Sequence, residues 1–279
     1  MPANRRQSRS RLRTQPRTHP DAKLLSTLRD LVVHVNFNKL RKAARDLLEC
    51  KGLRGEDQRE RKARLCQIRL SQGDIVKAAA ALRPHVKRRG TAYEISCRSL
   101  IGTGHEARGT GLLLSQLSAF IYQWKAIGGE ITRAEPTPLE IVEEADRLFR
   151  FAATGLPKNY ATAEQLMIEL YKSRLMRQEG PDRLSESART LDGLLDRVLS
   201  ELAGSNAAPW IAWVAAQVLE EAAMVSWREG DGRDAQLKIL RAAALVSCSD
   251  IVDDLSRAGI HYVLGRIESV FSKSRFRIA

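Results

Sequence analysis

Apolar residues recur at three- and four-residue spacings along almost the whole chain from Asp21 onward. The first stripe contains Leu24, Leu28, Leu31 and Val35. This spacing marks one face of an α-helix, whereas a half-buried strand alternates every second residue. Only 5% of the 279 residues are aromatic, and the abundant Ala, Leu, Arg and Glu also favour helices. We therefore predict an all-α fold.

Two sites share a pattern around a glycine. Leu70-Ser-Gln-Gly73-Asp74 precedes Ala78 and Leu82, and Trp227-Arg-Glu-Gly230-Asp231 precedes Ala235 and Ile239, at the same offsets. In each, a helix is predicted to end at Gly, Asp caps the next helix, and Ala lets the two pack closely. At the first site the predicted helices cover residues 57–71 and 74–88.

This pattern resembles the helical-hairpin turn of tetratricopeptide-like repeats. The resemblance covers about thirteen residues at each site, and a regular 34-residue array is not supported. It implies an irregular helical-hairpin solenoid, a TPR-like fold whose concave surface accepts a peptide or partner protein. No ligand-contacting residue is carried over from the family.

The first site is also similar to the opening helix of Fis-type helix-turn-helix domains. That family would require a turn and a DNA-recognition helix next. Pro84 interrupts the backbone hydrogen bonds at that point, and the duplicate at Gly230 lies in an acidic context. A structural cause for the pattern is therefore favoured.

Composition predicts four segments. Residues 1–20 contain six arginines, no acid and little apolar surface, which predicts a disordered basic arm; a merely solvated tail and a mitochondrial transit peptide are the alternatives. Gly128-Gly129, Pro136 and Pro138 predict a linker over 128–138. It separates a basic helical subdomain, 21–127, from a near-neutral to acidic one, 139–279.

Charge divides at about residue 100. Residues 1–100 contain 25 Lys and Arg against 9 Asp and Glu, and the remainder contains 21 against 24. Such a basic surface favours phosphate-bearing ligands. The predicted contacts with nucleic acid are Arg5, Arg6, Arg9, Arg11, Arg13, Arg17, Lys39, Arg41, Lys42, Arg45, Arg59, Arg61, Lys62, Arg64, Arg69, Lys87, Arg88 and Arg89.

The acidic half contains apolar surfaces that a protein partner could use. Leu184, Leu191 and Leu195 belong to a heptad seam that ends at Leu202. It can pair with a second copy of the chain, but packing within the chain is favoured because a coiled coil sustains its pattern longer. The predicted protein-interaction residues are Leu184, Leu191, Leu195, Trp210 and Trp213.

Signals for chemistry are weak, so we predict no enzyme, cofactor or metal site. The glycine-rich stretch 102–111 lacks the Gly-Lys-Ser/Thr of a phosphate loop, and a flexible connection is favoured, with a possible anion contact near Arg108. The paired acids Glu143–Glu144, Glu220–Glu221 and Asp253–Asp254 fit helix faces. Four cysteines without a C-x-x-C pair indicate a reducing, cytoplasmic location.

These observations predict a non-catalytic adaptor without a membrane segment. Its basic half would contact the phosphate backbone of DNA or RNA, and its second half a protein partner or another copy of the chain. The alternative is a TPR-like interaction scaffold whose basic half binds an acidic protein surface, with no nucleic acid.

Overall fold

The computed structural model of the protein describes Asp46 and residues 52–101, 107–152, 154, 156, 158–203 and 209–247. The predictions for the basic arm, for the helices within residues 21–50 and for Asp253–Asp254 lie outside these residues. So do the predicted contacts at Arg5, Arg6, Arg9, Arg11, Arg13, Arg17, Lys39, Arg41, Lys42 and Arg45.

Eight α-helices and three short strands form the described part of the chain. In chain order these are α1 (Gly55–Ser71), α2 (Ile75–Ala81), β1 (Val86–Arg89), β2 (Ala92–Ser96), α3 (Ala107–Ala126), β3 (Ile131–Glu135), α4 (Pro138–Ala152), α5 (Lys158–Glu179), α6 (Leu184–Leu202), α7 (Pro209–Arg228) and α8 (Gly232–Ser247). The mostly helical character is confirmed.

The sheet corrects the prediction of an all-α fold. Strand β1 pairs antiparallel with β2, and β2 pairs parallel with β3. Helix α2 therefore ends at Ala81 rather than at 88, since Pro84 has no amide hydrogen to continue the helix. Val86, Tyr93 and Ile95 are buried on one face of the sheet. The sheet thus contributes side chains to a core that helices otherwise build.

The predicted linker 128–138 contains regular structure. Its residues 131–135 are strand β3, and the apolar face of α4 that follows packs into the same core as α3. Gly128 has a φ of +83° and follows the end of α3 at Ala126, as the glycine pattern predicts. Pro136 directly follows the end of this strand, and the division into two subdomains stays a prediction.

Two apolar cores meet at α5. One face of this helix, including Tyr160 and Ile168, packs with α1 to α4 and the sheet. Another face, including Leu166 and Leu170, packs with α6 and α7. Each helix from α4 to α8 contacts the one before it. Helix α5 therefore lies between the two cores and contributes side chains to both.

The two glycine turns have the same backbone geometry. Gly73 has a φ of +71° and Gly230 a φ of +90°. The amide of Gly73 donates to the carbonyl of Leu70 at 3.0 Å, and that of Gly230 donates to Trp227 at 3.2 Å. Both turns end a helix in the left-handed conformation that the sequence predicted.

The residue after each glycine caps the next helix, as expected. Asp74 accepts a hydrogen bond from the Lys77 amide at 3.1 Å, and Asp231 accepts one from the Asp234 amide at 2.9 Å. The alanines four residues later are buried. The local prediction of a duplicated helical-hairpin turn is confirmed.

Replacing Gly73 or Gly230 with alanine is expected to lower the free energy of unfolding by about 1–2 kcal/mol, because a Cβ is strained at positive φ. An added Cβ meets no atom within 4 Å at either position, so backbone strain is the only cost. Urea unfolding followed by circular dichroism measures the change.

Gly193 is the matched control, because it lies inside α6 and an added Cβ there also meets no atom within 4 Å. Gly193→Ala should raise stability by up to about 1 kcal/mol through helix propensity. Equal effects at Gly73 and Gly193 would contradict the assignment of a left-handed turn.

Candidate nucleic-acid interface

Strand β1 presents a row of cations at the edge of the sheet. Its first residue, Val86, is buried, and Lys87, Arg88 and Arg89 are exposed. The strand turns into β2 through two residues, of which Gly90 has a φ of +61°. Charged residues suit an edge strand, because they discourage pairing with another chain.

The cations of β1 lie on both faces of the sheet. Val86 and Arg88 pair with Ile95 and Tyr93, whereas Lys87 and Arg89 pair with Glu94 and Ala92. Alternate residues of a strand point to opposite faces. Arg88 therefore lies on the same face as the buried Val86 and Tyr93, but its own side chain is exposed.

Helix α1 places further cations beside the start of β1. Lys62 has a pKa lowered first by partial burial and then by the charges of Arg61 and Arg59. His85 directly precedes β1, and its pKa is lowered first by burial and further by the charges of Lys62 and Arg59. These electrostatic effects place Lys62 and Arg59 near His85, which is more than twenty residues away in sequence. We define the basic surface as Arg59, Arg61, Lys62, Lys87, Arg88 and Arg89.

His85 adds no positive charge to this surface near neutral pH. Its side chain is buried, and burial is the largest cause of its lowered pKa. Nδ1 donates to the carbonyl of Ser96 at 3.3 Å. The imidazole thus joins the segment before β1 to the end of β2, and the charge of the surface comes from the neighbouring Lys and Arg side chains.

Part of this positive charge is already compensated. Arg59 pairs with Glu56 at 2.9 Å, and Arg89 pairs with Glu94 at 3.0 Å. Nε of Arg88 donates to the carbonyl of Gly90 at 2.9 Å, which holds its side chain at the turn. The clearest excess of charge is therefore at Lys62, Lys87 and Arg88.

Arg64 does not belong to the surface, contrary to the sequence prediction. It is 2% exposed, pairs with Glu164 at 2.6 Å and donates to Gln67 at 2.7 Å and to the Tyr160 hydroxyl. Burial alone would lower its pKa, but the charges of Glu164, Tyr160 and Glu60 raise it. Arg64 joins α1 to α5 and cannot reach a phosphate.

Arg69 lies at the end of α1, half-buried, and donates to the side chain of Gln72 at 3.3 Å. Two exposed cations near the hairpin were missed by the sequence prediction, Arg83 before β1 and Arg98 after β2. The pKa values of Glu135 and Glu140 are lowered mainly by hydrogen bonds from Arg133 and Thr137, and the positive charge of Arg98 lowers both further. Arg83 and Arg98 lie close to β1 in the sequence, and this closeness is the pattern that could have predicted them.

Residues 107–111 of the glycine-rich stretch are helical, whereas residues 102–106, where the flexible connection was also predicted, lie outside the described residues. Gly109 and Gly111 lie inside α3, where a Cβ on Gly109 would be 2.0 Å from the carbonyl oxygen of Glu56. A Cβ on Gly111 would be 3.1 Å from the amide nitrogen of Phe149. These glycines allow α1 and α4 to approach α3 closely.

The expected anion contact near Arg108 is occupied by the protein's own carboxylates. Glu56 accepts hydrogen bonds from the amides of Gly109 and Thr110 and from the Thr110 hydroxyl. Arg108 pairs with Asp57 at 3.0 Å and with Glu60 at 3.1 Å. The amino end of α3 is therefore satisfied internally and is not an external anion site.

The predicted protein-interaction residues lie mostly in the core. Leu184 and Leu191 are buried between α5, α6 and α7, and Leu195 and Trp213 are half-buried against the same cluster. The preferred interpretation of the seam, packing within the chain, agrees with this placement. The side chain of Trp210 lies outside the described part of the structure.

The paired acids differ in their surroundings. Glu221 is 1% exposed, and it binds Arg177, with Oε2 to Nη2 at 3.1 Å, and Arg174 at 3.5 Å. It therefore holds α5 to α7 rather than forming part of a solvated helix face. Glu143 is exposed and pairs with Lys172, and Glu144 pairs with Arg147.

Within the ranges that the structure describes, no group of three or more His, Cys, Asp and Glu side chains could hold a metal ion. None of the helices described there is both long and apolar enough to cross a membrane. Comparison with known proteins gave no match: no family model, no curated protein and no solved structure is significantly similar to this chain.

Proposed function

We propose that the protein is a non-catalytic cytoplasmic adaptor that binds nucleic acid through its basic half and a protein partner through its acidic half. The basic surface is the observation that carries this proposal. It combines cations of α1 and β1, and the like charges of Arg61 and Arg59 contribute to the lowered pKa of Lys62. Phosphates placed there would relieve this repulsion and release counterions.

The basic surface lies on regular elements rather than on a loop. β1 is held by β2, and β2 is anchored because the ring of Tyr93 packs edge-to-face on Phe120 at 5.3 Å and on Trp124 at 5.0 Å. Cations at fixed positions lose less entropy on binding than cations on a mobile segment. The six arginines of residues 1–20 would add contacts as the proposed arm.

The helices that follow supply the proposed second surface. Their consecutive packing from α4 to α8 is consistent with an irregular helical-hairpin solenoid. Leu237 and Leu240 of α8 and Leu199 of α6 are large apolar side chains that are about half exposed. Exposed apolar side chains are typical anchors for a protein partner, so these residues replace the buried Leu184 and Leu191 as the candidate contacts.

The test is a titration of labelled DNA and RNA with the full chain at two salt concentrations. We expect binding that weakens steeply with salt, and the double variant Lys62→Ala, Lys87→Ala should lower the slope of log affinity against log salt by about 2. Fluorescence anisotropy measures both quantities.

The matched control is Arg189→Ala with Arg233→Ala, which removes two exposed cations from α6 and α8. Its slope should equal that of the unchanged protein. Equal losses in both double variants would indicate a general charge effect. Binding of polyglutamate without any binding of nucleic acid would instead support a scaffold for an acidic protein.

A further inference from the structure

We propose that one face of α8 binds a later segment of the same chain, residues 249–271. This outer face of α8 consists of Leu237, Leu240 and Ala244, which are all exposed. The inference goes beyond the proposed function, in which the two leucines contact a protein partner. A segment bound there would compete with that partner, so the partner would have to displace it.

The outer face of α8 points away from α7. Ala235, Ile239 and Ala242 are buried and pack α8 against α7. Leu237 precedes Ile239 by two positions and Leu240 precedes Ala242 by two, which is about 200° around a helix. The two leucines are 50% and 54% exposed. Among the helices that the structure describes, α8 alone has two exposed large apolar side chains.

The place of α8 in the chain explains why this face lacks a cover. Helices α4 to α7 each contact the helix that follows them, whereas α8 is the last helix that the structure describes. The chain continues with residues 248–279, which lie outside the described residues. In an array of packed helices, an apolar face on the terminal helix is normally covered by a capping element. The continuation of the chain is the nearest candidate for this role.

The sequence of the segment provides a matching apolar stripe. Three- and four-residue spacings relate its large apolar residues, which predicts one face of a helix; they are Ile260, Val263, Leu264, Ile267, Val270 and Phe271. The eleven residues 249–259 span about 36 Å when extended. The 16 residues of α8 are about 24 Å long. The connection is therefore long enough for the stripe to return along the whole of α8.

The charges of the two surfaces are complementary. Arg233 and Arg241 are exposed on α8, whereas Lys238 already pairs with Asp234 at 2.5 Å. Residues 249–271 contain four acidic residues against two arginines. The outer face therefore attracts this segment. Pairing of α8 with the α8 of a second copy would instead bring like charges together, so the chain's own segment is the favoured occupant.

Hydrogen–deuterium exchange of the full chain tests the contact, followed by mass spectrometry of peptides from residues 260–271. We expect the amides of these residues to exchange at least about tenfold faster in the variant Leu237→Ser, Leu240→Ser than in the unchanged protein, because a released segment loses its protection. The matched control is Phe151→Ser with Leu199→Ser, which removes two exposed apolar side chains from α4 and α6. It should leave this exchange unchanged. Circular dichroism establishes that each variant is folded.

Two further variants test the charges and the segment itself. Arg233→Glu with Arg241→Glu should accelerate the same exchange by about threefold, the size expected from an exposed ion pair. Leu264→Ser with Ile267→Ser should accelerate it as much as the leucine changes on α8. Combining the two pairs of changes should add little, because both remove one contact.

Amides of residues 260–271 that exchange in the unchanged protein as fast as in urea would overturn the inference. Protection that the leucine changes on α8 leave intact would also overturn it, and so would protection that rises with protein concentration, which would indicate a second copy. None of these results bears on nucleic-acid binding. The proposed function fails separately, if the full chain binds neither DNA nor RNA in the anisotropy titration.

Discussion

Gly109→Ala is expected to destabilise the protein more than any other replacement of a described glycine by alanine. The new Cβ would lie 2.0 Å from the carbonyl oxygen of Glu56 and 3.0 Å from the amide nitrogen of Glu60. Both atoms belong to the backbone of α1, so the helices themselves must separate. We expect a loss of at least about 3 kcal/mol, the upper end of the usual cost of overpacking, measured by urea unfolding.

Gly111→Ala is the graded comparison in the same helix. Its Cβ would lie 3.1 Å from the amide nitrogen of Phe149, which requires a movement of only a few tenths of an ångström. We expect a smaller loss, of about 1 kcal/mol. A Gly109→Ala variant as stable as the unchanged protein would show that α1 and α3 are not packed this closely.

Arg64→Met is expected to cost about 3–5 kcal/mol of unfolding free energy, because it leaves the buried carboxylate of Glu164 without its ion-pair partner. Glu164 is 3% exposed, so water cannot replace the guanidinium. The same variant should leave the salt slope of nucleic-acid binding unchanged, because Arg64 is buried. Thermal unfolding and anisotropy provide the two measurements.

The double variant Arg64→Met, Glu164→Met separates loss of the pair from loss of one partner. Removing both charges should restore most of the stability, since methionine side chains can pack where the ion pair stood. If Arg64→Met instead reduces the salt slope as Lys62→Ala does, Arg64 reaches the ligand and its burial is contradicted.

Local signals were interpreted correctly where local interactions determine the structure. Gly73 and Asp74 form hydrogen bonds within a few residues of themselves, so their sequence alone predicts a helix end followed by a cap. Gly230 and Asp231 repeat the same arrangement. The helical nature of most of the chain was predicted for the same reason, because apolar spacing fixes which face of each helix is buried.

The strands could not be predicted in this way. Residues 86–89 contain three cations and no alternation of apolar side chains, and their strand forms because β2 and β3 provide partners from elsewhere in the chain. Arg64 lies between Arg61 and Arg69 in sequence, and only the position of Glu164, one hundred residues later, distinguishes it from its basic neighbours. Prediction of the basic surface was limited by the same lack of tertiary information.

Helix α5 has a consequence for how this protein could be rearranged. Glu164 near its start binds Arg64 of α1, and Arg177 near its end binds Glu221 of α7. Cutting the chain before α5 would leave the guanidinium of Arg64 in one fragment and the carboxylate of Glu164 in the other, each without its partner. Neither the basic nor the acidic part can therefore be transferred alone to a fusion protein. Such a fusion must also contain α5 and the residues that pack against both of its faces.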